Sequence, residues 1–452
     1  MGAQKIFGTD GVRGLANRNP MDSEMALKLG RSAASVLKNG AHRHRIVIGK
    51  DTRLSGYMLE TALASGITSA GTDVLLVGPL PTPGVAFIAR SMRADAGVVI
   101  SGSHNDYRDN GIKFFDKEGF KLSDKVESQI EEAIVSGKME EARAAPDNIG
   151  KAYRIDDATG RYIQFLKSCF PQEKTLDSLK IVVDCSNGAG YAVAPNVLEE
   201  LGATVYPIAT QPDGMNINRD CGSLHPEVMC QRVKKVGADC GIALDGDADR
   251  VIMCDSDGEV VDGDVIMALC GLHWNKKGKL KNNGLVATVM SNLALDHAME
   301  KNGIKVLRAQ VGDRYVVQAM RESGYNIGGE QSGHLIFLDY NTTGDGLLGA
   351  LQVLSIMLEE GKPLSELKKV LTAYPQVLLN VVVREKKDFT QVPAISKAME
   401  EAKGTLGKEG RVLVRYSGTE NIARIMVEGQ DSKQIQKLAS HIQLTIQKNL
   451  GD

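Results

Sequence analysis

Three times along its 452 residues the chain sets out an apolar run, a helical pattern, a second apolar run, a second helical pattern and a third apolar run. Between 45 and 103 these are RIVIGKD, GYMLETALASGITSAG, DVLLVG and, after a PLPTP turn, GVAFIARSM and AGVVIS. From 180 the order returns as KIVVDC, a helix through VLEELG, TVYPI, a helix through HPEVMCQRVKKVG, and CGIALDG; from 284 it returns as GLVATVM, LALDHAMEKNG, KVLRAQ, RYVVQAMRESG and NIGGEQSGH. Continuous Val/Ile/Leu runs alternating with helices indicate βαβ units on sheets covered on both faces. The tail differs: QVLLNVVVRE, a helix near KAMEEAKG, RVLVRYSGTE, NIARIMVEG and a last amphipathic helix from 431 read as α+β. The expected fold is therefore α/β, with three repeated mixed-sheet βαβαβ domains and a C-terminal α+β domain, four in all around a central cleft. Their expected spans are 1–155, 156–256, 257–372 and 373–452, with linkers near 150–158, 254–262 and 370–376 where polar or turn residues interrupt the pattern.

Composition removes several classes of function. The 54 basic and 56 acidic residues are well mixed, so no basic stripe suits nucleic acid. No apolar run approaches bilayer length, and MGAQKIFGTD lacks a signal-peptide core and a myristoylation serine or threonine, so a cytoplasmic protein without a membrane partner is expected. Seven cysteines, never spaced as CxxC and several inside apolar runs, read as reduced buried thiols; Cys221, His225, Cys230 and Cys240 match no zinc-ligand spacing.

Each repeat ends its third strand in a polar, glycine-containing loop: SGSHND at 101–106, DGDADR at 245–250 and GEQSGH at 329–334. Open α/β sheets bind ligands beyond the carboxyl ends of their strands, so three such loops facing one cleft make an active site. In DGDADR, Asp245, Asp247 and Asp249 lie within five residues, and a tight turn can point all three at one hard cation, with Mg²⁺ the best fit if a phosphate adds an oxygen. Arg250 and Ser256 stand where a calcium loop needs Gly and Glu. Ser103, after Gly102, is a weak nucleophile as a free serine, whereas a serine already phosphorylated can pass its phosphate to a sugar oxygen beside a metal, and neighbouring His104 is expected to point away in an extended segment. Lys113 in NGIKFF reads either as a cation or proton donor in the cleft or as a surface lysine. Glu330 and Ser332 suit the vicinal hydroxyls of a sugar, and His334 reads as a proton-transfer aid or a packed histidine. RYSGTENIAR gathers Arg415, Ser417, Thr419 and Arg424 around Gly418, a mixture suited to phosphate. NGAG at 187–190 has Val193 where a dinucleotide fingerprint needs its third small residue, and reads as a helix-leading turn.

Taken in order, FGTDGVRG, SGSHNDYRDNGIKFF, DGDADR, VGDRYV, GEQSGH and RYSGTEN resemble the α-D-phosphohexomutases across the whole length. The resemblance implies a phosphoserine at Ser103, one Mg²⁺ held by Asp245, Asp247 and Asp249 with that serine's phosphate, and sugar hydroxyls held by Glu330 and Ser332. It implies that Arg13, His104, Lys113, Arg250 and His334 line the cleft, with Lys113 carrying the proton. Gly312 and Asp313 of VGDRYV join the substrate site, and Arg415, Ser417, Gly418, Thr419 and Arg424 clamp the phosphate not in transfer. The implied reaction interconverts glucosamine 6-phosphate and glucosamine 1-phosphate through a bisphosphorylated sugar, activated by glucosamine 1,6-bisphosphate or glucose 1,6-bisphosphate, and feeds UDP-N-acetylglucosamine synthesis. A homodimer is the family-level expectation. The alternatives are a mutase of mannose or glucose phosphates, a metal-dependent sugar phosphatase and a non-catalytic sugar-phosphate binder. Two departures stand out: Gly102 and Asp106 replace Ala and Pro, loosening the serine loop and adding a negative charge, and Ala248 replaces Gly, disfavouring a positive φ.

Overall fold

The computed structural model describes residues 5–8, 10–417 and 421–451. They divide into two compact units, residues 1–290 with 303–370 and residues 291–302 with 371–452. The chain opens with β1 (Val12–Leu15), α1 (Ser23–Leu37), β2 (Arg45–Lys50), α2 (Leu54–Ser69), β3 (Asp73–Pro79), α3 (Thr82–Ser91), β4 (Ala96–Ile100), β5 (Asp109–Asp116), α4 (Asp124–Val135) and β6 (Ala152–Arg154). There follow α5 (Ala158–Ser168), β7 (Lys180–Asp184), α6 (Val193–Glu200), β8 (Thr204–Ile208), α7 (Pro226–Val236), β9 (Cys240–Leu244), β10 (Val251–Asp255) and β11 (Val260–Val261). The third repeat comprises α8 (Gly263–Lys276), β12 (Gly284–Thr288), α9 (Leu293–Glu300), β13 (Lys305–Ala309), α10 (Asp313–Ser323), β14 (Ile327–Gly329), β15 (Leu335–Phe337), α11 (Gly346–Glu360) and α12 (Leu364–Leu367).

The strands form sheets ordered β1-β5-β4-β2-β3-β6, β11-β10-β9-β7-β8 and β13-β12-β14-β15. The three repeat strands of each sheet pair in parallel, as their continuous apolar runs predict. Each third strand then turns back into an antiparallel neighbour, β4 into β5, β9 into β10 and β14 into β15. An antiparallel return needs only a short connection, whereas a parallel one needs a crossover helix. The polar loops of the three repeats are therefore hairpin connections at the carboxyl ends of parallel strands, where an α/β sheet collects ligands. The helices pack closely: a Cβ on Gly30 of α1 or Gly66 of α2 would lie 2.5 or 2.2 Å from a backbone oxygen of the other helix.

Two of the three expected linkers are instead partly strand. Residues 152–154 pair with β3, and 254–262 contains the end of β10 and the short β11. The exposed edge strand β6 gains backbone hydrogen bonds without an apolar run, and β11 is only two residues long, which hides both from a pattern reading. The third expectation, 370–376, spans the point at which the chain changes units.

The second unit contains β16 (Gln376–Val382), α13 (Pro393–Leu406), β17 (Gly410–Tyr416), β18 (Ile422–Gly429) and α14 (Ser432–Leu450), with the antiparallel order β16-β18-β17. Ile395, Ile425, Ile435 and Ile442 are buried in its core. It also takes α9, a helix that the repeat pattern assigns to the third module. Asn292, which caps α9, accepts from Tyr374 N at 2.9 Å and donates to Tyr374 O at 3.0 Å, while Glu428 accepts from Leu293 N at 2.9 Å. All seven cysteines are buried and free. Among the described residues no helix is long and apolar enough to cross a membrane.

Candidate active site

Ser103 follows β4 with φ 52, in the left-handed region, and is buried. That twist folds the loop instead of extending it, so His104 does not point away: its Nδ1 lies 3.3 Å from Ser103 Oγ. Ser103 Oγ donates to Asp245 Oδ2 at 2.8 Å. The left-handed residue is thus Ser103 and not Gly102, which is required for space: a Cβ there would lie 2.9 Å from both Arg53 Cζ and Asp109 O.

Arg53 is fully buried and holds the loop from beneath. Its Nη1 donates to Asp106 O at 2.6 Å, and its Nη2 to Ser103 O at 2.8 Å and Asn105 O at 2.9 Å. Asp51 orients the guanidinium, accepting from Nε at 2.8 Å, and also accepts from Ser101 Oγ at 2.7 Å. Asn218 Nδ2 donates to Ser103 O and Asn105 O at 2.8 and 2.9 Å. The expected loosening is therefore absent, because the constraint comes from side chains under the loop. The carboxylate of Asp106 is occupied by exposed Arg108, whose Nε lies 2.7 Å away. Sequence reasoning missed Asp51, Arg53, Ser101 and Asn218. The one usable signal was the charged KDTR placed directly after the apolar β2, at the ligand end of the sheet.

The loop after β9 brings carboxylate oxygens of buried Asp245, Asp247 and Asp249 to within 4.8 Å of one another. Ala248 takes φ 56 despite its Cβ, because a turn tight enough to return the chain into β10 needs a left-handed residue there. Backbone hydrogen bonds, Ala248 N to Asp245 O and Gly346 N to Ala248 O, both 3.0 Å, hold that conformation. NGAG supports the same turn: Ala189 N donates to Gly246 O at 2.8 Å, and a Cβ on Gly188 would lie 2.3 Å from that oxygen. Burial, then the charges of Asp249 and Asp247, push the Asp245 carboxyl well above the usual range. Burial acts the same way on Asp247 and Asp249, but the neighbouring cations prevail and both are lowered, with Lys113 on each and His334 foremost on Asp249. Asp247 Oδ1 and Asp249 Oδ1 are buried without a hydrogen-bond partner. Three crowded hard oxygens, two of them unsatisfied, fit a divalent cation of the Mg²⁺ kind.

Lys113, on β5, is buried and not a surface lysine; its Nζ lies 3.0 Å from Asp247 Oδ2 and 3.6 Å from Asp249 and Asp10. Burial favours loss of its proton, but these carboxylates overcome burial and hold it charged. Arg13, opposite Gly111 in the β1–β5 pair, pairs with Asp10 and donates from Nη1 to Gly102 O at 3.4 Å. Arg250 N donates to Asp245 Oδ1 at 3.2 Å, and its Nε lies 3.9 Å from Asp249. His334 stands between Asp249 at 3.5 Å and Asp313 at 3.7 Å; burial opposes its charge, but these carboxylates raise it to about 9. Glu330 accepts from Gly312 N at 3.1 Å and from Ser332 Oγ at 3.0 Å, which ties Gly312 to the third loop. His104 is lowered to about 4 by burial and by Arg250 and Arg13, and so is neutral near pH 7. Lys121, unremarked in the sequence reading, bridges Asp10 and Asp313.

In the second unit Arg415 and Arg424 are direct partners across the β17–β18 pair. Burial and the charge of Arg424 lower the Arg415 guanidinium, so the pair presents a field suited to an anion. Ser417 is buried, and its carbonyl accepts from Lys386 Nζ at 2.8 Å. Gly418 and Thr419 lie outside the described residues.

This geometry has a family. Models of phosphoglucomutase/phosphomannomutase α/β/α domains I, II and III match residues 4–141, 160–258 and 262–374, and that of the C-terminal domain matches 378–444. The chain belongs to the phosphoglucomutase/phosphomannomutase family. Like that family it is a mutase, an enzyme of the isomerase class. A phosphoglucosamine mutase of Citrifermentans bemidjiense is 61% identical over 448 residues, 99% of each chain. The fold matches a phosphoglucomutase/phosphomannomutase family protein of Burkholderia thailandensis with a TM-score of 0.82 at 24% identity, over 99% of this chain and 98% of that one. It also matches the Aspergillus fumigatus N-acetylphosphoglucosamine mutase, solved with GlcNAc-6P and magnesium, with a TM-score of 0.66 at 18% identity, over 98% and 95% of the two chains.

Proposed function

We propose that this chain interconverts glucosamine 6-phosphate and glucosamine 1-phosphate through a phosphorylated Ser103. The observation that carries the reading is Ser103 Oγ at 2.8 Å from Asp245, beside two further buried carboxylates with unsatisfied oxygens. Full-length relatives about 60% identical that are named phosphoglucosamine mutase support the choice of sugar. Asp245, Asp247 and Asp249 would hold one Mg²⁺, which neutralises charge on the phosphate of Ser103. A sugar hydroxyl attacks the phosphorus in line, the P–Oγ bond breaks and a P–O(sugar) bond forms. Lys113 donates a proton towards Oγ and recovers one from the attacking hydroxyl, so protons balance. The bisphosphorylated sugar turns over and returns its other phosphate to Ser103 by the same step reversed. Neutral His104 is a hydrogen-bond partner for Oγ, while Arg13, Arg250 and His334 offset phosphate charge. Glu330 and Ser332, with Gly312 and Asp313, would hold sugar hydroxyls, and Arg415, Ser417 and Arg424 a phosphate.

The four domains are proposed at 1–155, 156–256, 257–372 and 373–452. A bisphosphorylated hexose serves as activator, a homodimer is the proposed assembly, and the cytoplasm is the proposed compartment, in keeping with seven free thiols. The deciding experiment is a coupled mutase assay with Mg²⁺ and a trace of glucosamine 1,6-bisphosphate. It compares glucosamine, glucose and mannose 6-phosphates on the wild type and Ser103→Ala. Preference for glucosamine, lost in the variant, supports the proposal; equal turnover of all three sugars overturns the substrate, and an active variant overturns the phosphoserine.

A further inference from the structure

At the opposite end of the first sheet from Ser103, two histidines and an aspartate converge. His42 and His44 precede β2 in the segment AHRHR, and Asp95 immediately precedes β4, the strand paired in parallel with β2. His42 lies in the bend before β2 and His44 immediately before the strand, their rings packed against each other, and strand pairing brings Asp95 alongside. His42 Nε2 lies 2.8 Å and His44 Nδ1 3.2 Å from the same oxygen, Asp95 Oδ1, and the two rings are 4.4 Å apart. One donor atom from each residue lies within 4.8 Å of the others. We infer that His42, His44 and Asp95 form a binding site for a divalent transition-metal ion of the zinc kind, separate from the three aspartates.

Five observations carry this. The separations of 2.8 and 3.2 Å lie near the edge, about 3.3 Å, of a tetrahedron whose corners are roughly 2.05 Å from a central zinc. His44 Nδ1 is buried and pairs with Asp95 at 3.2 Å without the alignment of a full hydrogen bond, so the carboxylate satisfies it only in part. Asp95 is fixed from behind, its Oδ2 accepting from Arg45 N at 2.8 Å, which leaves Oδ1 turned towards the imidazoles as a metal ligand is oriented by a neighbour. The nearby cations are engaged elsewhere: Arg43 pairs with Asp73 at 2.6 Å, Arg143 with Glu140 at 2.5 Å, and Lys38 donates to Ala70 O. A cavity of about 530 Å³ is lined by His42 and His44, though not by Asp95, and leaves open space beside the two imidazoles. Two imidazoles and one carboxylate suit Zn²⁺, Ni²⁺ or Co²⁺, whereas Mg²⁺ prefers oxygen alone.

Asp95 and Ser101 flank β4, so about 20 Å of strand separates this site from the serine loop, at ~3.3 Å per residue. An ion there joins the starts of β2 and β4 without touching the reacting groups. The test uses the full chain without an affinity tag, stripped of metal and then held in excess Mg²⁺ to fill the aspartate site, and titrated with Zn²⁺ against a chromophoric competitor. One saturable Zn²⁺ per chain is expected in the wild type, with binding weakened at least tenfold in His42→Ala and in His44→Gln. Co²⁺ should give visible absorption bands of a nitrogen-ligated ion that both variants lose, while mutase activity with Mg²⁺ stays unchanged in His42→Ala, whose side chain is largely exposed. No saturable Zn²⁺ binding in the wild type, or equal binding in the variants, overturns the inference.

Discussion

Replacing Arg53 by lysine keeps a positive charge but removes the fork that holds the serine loop. The guanidinium uses three nitrogens for four partners: Asp51 and the carbonyls of Ser103, Asn105 and Asp106. A single ammonium on a similar stem can remain with Asp51, its opposite charge, and then reaches none of the three carbonyls in that geometry. Each hydrogen bond to a charged donor is worth about 1.5–3 kcal/mol, so three lost bonds, partly replaced by water while Asn218 keeps its own two, leave the loop weaker by roughly 3 kcal/mol. A displacement of the reacting oxygen by about 1 Å costs on the order of 100-fold in rate. Arg53→Lys should therefore lower kcat about 100-fold with KM within about threefold, since Glu330 and Ser332, the proposed sugar contacts, are untouched. Hydrogen exchange at amides 101–108 should rise in the same variant. A kcat within threefold of the wild type, with loop amides equally protected, would show that the loop holds its shape without Arg53 and would refute the reasoning.

Three further outcomes follow from other sites. Gly102→Ala should destabilise the protein by about 1–3 kcal/mol, read as a lower Tm, because the new Cβ meets Arg53 and the Asp109 carbonyl at 2.9 Å. Burial raises Asp345 from 3.8 to about 6 even though Leu348 N, Tyr162 OH and Asn341 Nδ2 donate to it. Its folded pKa is the higher, so the stability it contributes is complete below the unfolded value and is lost as pH rises through 6. At 1.36 kcal/mol per pH unit the gap is about 3 kcal/mol, and Asp345→Asn should remove that part of the change in Tm between pH 4 and pH 7. Chelation should stop turnover, and Mg²⁺ should raise the Tm of the wild type but not of Asp247→Asn, because the ion relieves the repulsion among the three aspartates; an equal rise in both would place the ion elsewhere.

Pattern and local chemistry made much of this protein legible. Continuous apolar runs predict parallel strands wherever a strand is covered on both faces, and so they located β2, β3, β4 and their counterparts in the other repeats. Three aspartates in five residues predict a cation site, since such crowding in a buried turn calls for compensating positive charge. Both signals lie within a few residues of chain, where spacing alone constrains geometry. Other features depend on residues far apart in the sequence. The edge strand β6 carries no apolar pattern and β11 is only two valines long, and both exist because a neighbouring strand offers its backbone. Arg53 holds a loop some fifty residues away, and α9 packs with Tyr374 and Glu428 rather than with the module that its sequence position suggests. His104 turns towards Ser103 because Ser103 is left-handed, and Ala248 accepts a positive φ because the hairpin must close. By itself the sequence determined the parallel strands, the order of the loops and the chemical types at their tips. The tertiary structure decided which groups support those tips, because burial and long-range hydrogen bonds set the loop conformations against the preferences of their own residues.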